Sequence, residues 1–336
     1  MHPEMKMIKC TIVRGGTSKG VFIMKNDLPS DPDKRDAVIR AIYGSPDIRQ
    51  IDGLGGADVL TSKLAIISQS TRKDADVDYT FAQVGIDTEL VNYNGSCGNI
   101  ASAVGAFAID EGIVAAKDPL TMVRVHLTNS DTVLTQEVPV LDGKARVIGD
   151  YSIDGCPGTG ARITLDWAAV VAQKPDCILP TKNVIDSVTV DGKNYNVTIT
   201  GIGNFVIFIH ASSLNMSGIE SPSDIAGNNK LMILLERIRG EISVRLGMVD
   251  SPEEAARVTP YQPFVAIIAE PESYSTLNGT EVRGQDIDLT SRLVFMQKVH
   301  KTYPISAATG IGAAARIPGT IVWDILKKEI KMICVS

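Results

Sequence analysis

A chain of 336 residues is too long for one small core and points to two domains of ordinary size. Hydrophobic residues at 44% and charged residues at 21% fit a globular protein, and a formal charge of −6 without any Lys/Arg run argues against nucleic acid as a partner. No apolar run approaches the roughly 20 residues of a membrane span, and MHPEMKMIKC lacks an apolar signal core, so no membrane association and a cytoplasmic location are expected.

Residues 7–13, MIKCTIV, read as a strand, RGGTSKG as a glycine turn and VFIMK (21–25) as a second strand. DPDKRDAVIRAIYG (31–44) is a short amphipathic helix with an acidic start and a closing glycine. After the GLGGAD loop (53–58), SKLAIIS (62–68) reads as a buried strand and VDYTFAQVGI (77–86) as an alternating one. NIASAVGAFAIDEGI (99–113) reads as one buried helix, and VRVHLTNS, TVLTQEVPV and KARVIGDYSI as further strands. The Gly-, Pro- and Asp-rich stretch around 155–185 reads as a linker, which sets domains at 1–185 and 186–336. In the second half, SVTVDGKNYNVTIT (187–200) is a hairpin on Asp191-Gly192. FVIFIHASSLN then starts as a strand, LMILLERIRGEISVRLG holds a helix and PFVAIIAEPE a strand. TSRLVFMQKVHKTY (290–303) reads as an amphipathic helix, and ISAATGIGAAARIPGTIVWDILKKE as an Ala-rich one opened by glycine. TSKGVFIMKNDLP (17–29) lines up with IGNFVIFIHASSLN (202–215), and NGSCGNIASAVGAFAI (94–109) with AATGIGAAARIPGTIV (307–322). Such order suggests two similar domains; chance repetition of Gly and Ala is the competing explanation.

Chemistry concentrates at few places. The five cysteines form no CxxC pair, and His2, His126, His210 and His300 have no metal-ligand spacing, so neither a metal nor a disulfide framework is expected. Cys97 stands where a helix begins, between Gly95 and Gly98; free N–H groups there favour a thiolate and can hold a carboxylate, which these neighbours favour over a buried, inert cysteine. Cys10, Cys177 and Cys334 lack such neighbours, and Cys156 in GCPG is left without a role. GGTSKG (15–20) is not a phosphate loop, because Lys19 precedes the closing glycine; Ser18 and backbone N–H groups facing a ligand, or a bare hairpin turn, both fit. Lys63 interrupts an apolar strand: buried, it would lose proton affinity and serve as a base; at the strand end, it would reach out to water. ATGIGAAA (308–315) offers a second helix start, with His300 and Arg316 nearby in sequence.

RGGTSKG (14–20), DGLGGADVLTSKLAII (52–67), VDYTFAQV (77–84), YNGSCGN (93–99), MQKVHKTY (296–303) and ARIPGTI (315–321) together resemble the methylitaconate Δ-isomerase and 2-methylaconitate isomerase family, over nearly the whole chain to about residue 326. The resemblance implies an α+β, diaminopimelate-epimerase-like fold: two pseudo-symmetric domains, each a mixed, mostly antiparallel sheet wrapped around a central helix, with the active site between them. It implies movement of a C=C bond in a small unsaturated di- or tricarboxylate by proton abstraction and return, with no cofactor, and leaves room for a homo-oligomer. It makes Lys63 and Cys97 catalytic. Gly16, Thr17, Ser18, Asn94, Ser96, Gly98 and Asn99, with Thr309 and Gly310 at the second helix start, become the substrate-binding set. Epimerases of this fold carry a cysteine in each half, whereas this chain has Ala308-Thr309-Gly310 in the second, which argues against a two-thiol amino-acid epimerase or racemase. The chain reads KKEIKMICVS where the family has a final returning strand, so that strand is expected to be lacking; a non-catalytic carboxylate-binding relic is the remaining alternative.

Overall fold

The computed structural model describes residues 5–173, 176 and 178–326; Cys177 and the KKEIKMICVS segment, with the expectations placed on them, lie outside these. The chain divides into two units, Met1–Gln173 and Lys174–Ser336.

The first unit opens with β1 (Thr11–Gly15) and β2 (Ser18–Met24), a hairpin whose two-residue turn needs Gly16 at φ +53°. Helix α1 (Pro32–Tyr43) starts at Asp31, whose carboxylate accepts from the Lys34 N–H at 2.9 Å, and stops at left-handed Gly44. It is the crossover that makes β3 (Lys63–Gln69) parallel to β2. β4 (Val77–Val84) runs antiparallel to β3, and short β5 (Val91–Asn92) pairs with the end of β4. Then come α2 (Gly98–Ala101) and α3 (Val104–Asp110), β6 (Leu120–Leu127) parallel to β4, and β7 (Thr132–Leu141) antiparallel to β6. β8 (Lys144–Ala145) and β9 (Thr164–Asp166) both pair with β7. The expected strand KARVIGDYSI is thus reduced to two residues. Nor is 155–185 a linker throughout: β9 extends the sheet, and α4 (Ala168–Gln173) is tied to β7 through the Gln173 amide and the Val133 backbone.

Strand alternation sorts the first sheet into two faces. Val21, Ile23, Leu64, Ile66, Ala82 and Val84 pack with Ile39 and Tyr43 of α1. The opposite parity carries Gly20, Phe22, Lys63, Ala65, Tyr79, Phe81 and Gln83. That face belongs to α2, which touches β1 and β2, and to α3, which touches β3, β4, β6 and β7. Phe22 and Phe107 meet there at 5.3 Å between ring centres. Two glycines admit the helix: a Cβ on Gly15 would lie 2.2 Å from the Asn99 carbonyl oxygen, and one on Gly20 would lie 2.7 Å from the Lys63 carbonyl oxygen and 3.0 Å from Ile100.

The expected single helix over 99–113 is two. At the break, the wholly buried Gln136 of β7 donates to the Ala101 carbonyl (2.6 Å) and accepts from the Gly105 N–H (2.9 Å). Those two groups would bond each other in an unbroken helix; the side chain is inserted between them.

The second unit begins with segment 181–186, whose Thr181 and Asn183 side chains bond Asp186 and whose Val184 carbonyl accepts from Thr198. These bonds attach the segment to the second sheet, so the division falls at Gln173 and not at 185. β10 (Asp186–Val190) and β11 (Lys193–Ile202) form the hairpin read on Asp191-Gly192, both at positive φ. β12 (Asn204–His210) follows antiparallel to β11. After α5 (Pro222–Gly227), α6 (Asn229–Arg245) and α7 (Ala255–Val258), β13 (Phe264–Ala269) lies parallel to β12. β14 (Tyr274–Ser275) and β15 (Glu281–Val282) make a small ribbon; β16 (Thr290–Phe295) runs antiparallel to β13 and pairs with β17 (Lys298–Val299). The expected helix over 290–303 is therefore a hairpin, turned by Met296 and Gln297 at φ 49° and 53°. The chain continues through α8 (Ile305–Ala314) and α9 (Ile321–Leu326). Leu231, Leu235, Ile238 and Ile242 of α6 pack on one side of this sheet, and α8 rests on β11 and β12.

The protein is thus α+β with two mixed sheets. Each unit runs through a hairpin (β1–β2 and β11–β12), a 3-10 turn, a helical crossover, a parallel strand, an antiparallel strand and then a small-residue helix. Among the described residues no helix is long and apolar enough to cross a membrane.

Candidate active site

Lys63 opens β3, where it stands in register with Gly20 of β2 and Gln83 of β4; Gln83 in turn faces Asn92 of β5. A row of polar side chains thus crosses the sheet on the face that α2 covers. Lys63 is 2% exposed, so it does not reach out to water. Its amine donates to Gln83 Oε1 at 2.8 Å and lies 5.4 Å from the centre of the Phe81 ring. Burial lowers its proton affinity below the ordinary lysine value, against the smaller opposing pull of Cys97 and Asp58. The Lys63 backbone is anchored as well: Tyr43 of α1 donates its hydroxyl to the Lys63 carbonyl, and burial raises the pKa of that phenol, so it remains a donor.

Cys97 is the N-cap of α2. Its sulfur accepts from the Ile100 N–H at 3.5 Å, the residue is 6% exposed, and its carbonyl accepts from the Tyr79 hydroxyl at 3.4 Å. The thiol and the Lys63 amine are close enough to act on each other electrostatically.

The residues expected from the first half to bind substrate lie in the β1–β2 turn, at the start of β2 and around the start of α2. Gly16 and Thr17 make the β1–β2 turn, and the Asn99 side chain donates to Thr17 Oγ1 at 2.9 Å. Asn99 is buried against Gly16, where a Cβ would come within 2.5 Å of its amide oxygen. Ser18 begins β2 on the Lys63 face; its buried hydroxyl has no hydrogen-bond partner among the described residues. Gly98 is the first residue of α2, Ser96 is buried just before it, and the Asn94 N–H donates to Asn92 Oδ1. Cys156, unassigned by sequence, donates its thiol to the Gly16 carbonyl at 3.2 Å.

Thr309 and Gly310 belong to the second unit and do not stand at a helix start. Helix α8 begins at Ile305, after Pro304, which puts both in its second turn. Thr309 bonds back to the Ile305 carbonyl, and Gly310 packs against Thr200 and Phe208, where a Cβ would meet Thr200 Oγ1 at 2.8 Å. His300 is buried against Phe295, its Nδ1 accepting from the Thr302 N–H.

Sequence reasoning passed over Gln83, Tyr79 and Asn92. The signal for Gln83 was present: it shares strand parity with buried Val77, Tyr79 and Phe81, the place for an apolar side chain. Among the described residues no three His, Cys, Asp or Glu side chains gather to hold a metal ion. A lysine with weakened proton affinity, a neighbouring thiol and an unspent buried hydroxyl form a set suited to moving a proton at carbon.

Comparison with known proteins gives this set a context. Over 328 residues the chain is 50% identical to 3-methylitaconate isomerase of Eubacterium barkeri, covering 97% of this chain and 86% of that one. It is 38% identical over 336 residues to 2-methyl-aconitate isomerase of Shewanella oneidensis, covering 96% and 84%. A crystal structure of methylitaconate-delta-isomerase superposes with a TM-score of 0.77 at 49% identity, covering 97% of this chain and 84% of that one. A hydroxyproline epimerase from Agrobacterium vitis shares the fold alone, with a TM-score of 0.52 at 11% identity over 93% of this chain and 76% of that one. The family model described as PrpF protein matches residues 5–333, and the chain belongs to that family.

Proposed function

We propose that this chain is an isomerase of the methylitaconate and methylaconitate type, shifting a C=C bond in a small unsaturated di- or tricarboxylate, with Lys63 and Cys97 handling the proton. The observation that carries the reading is the Lys63 amine, buried beside Cys97 on the face of α2 and held at lowered proton affinity. In its neutral form, which burial favours, the Lys63 amine takes a proton from the allylic carbon. That C–H bond breaks, its electron pair enters the conjugated system as a dienolate, and a proton returns at the far end of the original double bond. No atom is gained or lost. Cys97, at the start of α2, gives or receives the second proton in this reading. The Ser18 hydroxyl offers a donor to the carboxylate on which the dienolate charge accumulates. The repeated order of elements in the two units supports an internal duplication and a diaminopimelate-epimerase-like architecture.

The test follows ultraviolet absorbance and solvent-deuterium uptake with 3-methylitaconate, and then with aconitate-like and citraconate-like acids. Lys63→Ala should lower turnover by about a hundredfold or more, as expected for loss of a general base, and Cys97→Ser should also impair it. Full turnover in both variants would remove Lys63 and Cys97 from the mechanism.

A further inference from the structure

Gln83 makes bonds that leave its amide one orientation. Its Nε2 donates to two backbone carbonyls, Val59 at 3.2 Å and Ser62 at 3.0 Å, which can only accept. Both amide hydrogens are thereby engaged in the loop that leads into β3. The remaining oxygen must face the other way, and there it meets the Lys63 amine at 2.8 Å. Gln83 is wholly buried, and Lys63, itself buried, is its cross-strand partner. The loop that supplies the carbonyls is itself fastened. Gln50 accepts from the Ser62 hydroxyl at 2.8 Å and from the Ala57 N–H at 2.9 Å, and the Lys19 N–H donates to the Leu60 carbonyl at 2.9 Å.

We propose that Gln83 is a positioning residue for the isomerisation: its amide, locked by the Val59 and Ser62 carbonyls, presents a neutral acceptor to the Lys63 amine and fixes where the remaining bonds of that nitrogen point. The inference rests on Lys63 being the base. A neutral acceptor matters here. A carboxylate in its place would favour the ammonium and disarm the base; an apolar side chain would let the amine swing within its pocket. The titratable groups facing Lys63 from the elements around it are Cys97 at the start of α2 and Asp58 in the loop before β3, with the Tyr43 and Tyr79 hydroxyls bound to neighbouring carbonyls. Gln83 itself adds no charge to that set.

The experiment measures kcat and KM across pH for the full chain, with 3-methylitaconate as probe. Gln83→Glu should move the rising limb of the kcat profile to higher pH by about one unit or more, since a carboxylate beside the amine raises its proton affinity. Gln83→Met should lower kcat about tenfold or more while KM stays within about twofold, the pattern of an interaction that serves the reaction step. A residue that only braced the loop would lower the melting temperature and leave both limb and kcat in place, and that result overturns the proposal. Where the variants do not fold, the wild type decides. The Gln83 side-chain amide resonance should titrate with the Lys63 amine and lie flat with pH in Lys63→Met; a flat wild-type resonance overturns the proposal. Lys63→Met also separates the two ideas. If it keeps turnover, the reading of Lys63 as base has failed. If it is inactive while the Gln83 variants behave as wild type, only the Gln83 inference has failed.

Discussion

At the scale of single residues, Lys63 carries a stability signature distinct from its chemistry. Burial holds the amine below its ordinary 10.5, so between that lowered value and 10.5 the unfolded chain keeps a proton that the folded chain has shed. Stability attributable to this group therefore rises with pH across the window. Lys63→Met removes the slope. Its stability relative to wild type should be highest below that lowered value and should fall as pH climbs from it toward 10.5, by about 1.4 kcal/mol for each tenfold by which burial has weakened proton binding. Urea melts at stepped pH measure this; a difference that stays level would mean that the amine is not desolvated. Lys63 was legible as an anomaly, a charge inside an apolar run, but one sequence could not say whether it stays inside. Two local facts decide that: Gln83 stands opposite, and Tyr43 holds the strand end down. Gln83 was equally visible, as an amide on the buried parity of VDYTFAQV, yet single polar residues in strands draw little notice without a partner in view.

At the scale of elements, the break between α2 and α3 shows why boundaries are harder to read than element types. Small and apolar residues run from Ile100 to Ala108, and nothing in NIASAVGAFAI marks a stop. The interruption comes from β7, where Gln136 again occupies an inward parity, between Leu134 and Val138. Gln136→Leu leaves the Ala101 carbonyl and Gly105 N–H without their partner. It should cost about 1–3 kcal/mol, the price of unmade buried hydrogen bonds, and should lower turnover because α2 carries Cys97. Thermal melts and the isomerase assay read the two effects, and a variant as stable and active as wild type would show that the helix closes over the gap unaided. TSRLVFMQKVHKTY illustrates the opposite error. Its apolar residues suit a helical period, but Leu293, Val294 and Phe295 are all buried in a strand, and the Met296-Gln297 turn has none of the glycine or asparagine that usually marks left-handed backbone.

At the scale of the whole molecule, the repeated order of elements was legible where it was carried by hydrophobic runs and turns. TSKGVFIMK and IGNFVIFIH both became a strand entered from a tight turn and left through a 3-10 turn. The second small-residue helix was found but misplaced by a turn, because Pro304 starts it ahead of the glycines. The thiols are also distributed in a telling way. Among the described cysteines, Cys10 and Cys156 are partly open, and Cys97 is closed in beneath its own helix start. A bulky alkylating reagent should therefore react with Cys10 and Cys156 before it reaches Cys97. Because Cys156 grips the Gly16 carbonyl, its modification should loosen the first turn and inactivate the enzyme without touching Cys97. Inactivation by such reagents is then a poor fingerprint for Cys97, and Cys156→Ser should make the protein resist them; peptide mapping of the labelled sites, set against the time course of inactivation, distinguishes the two thiols.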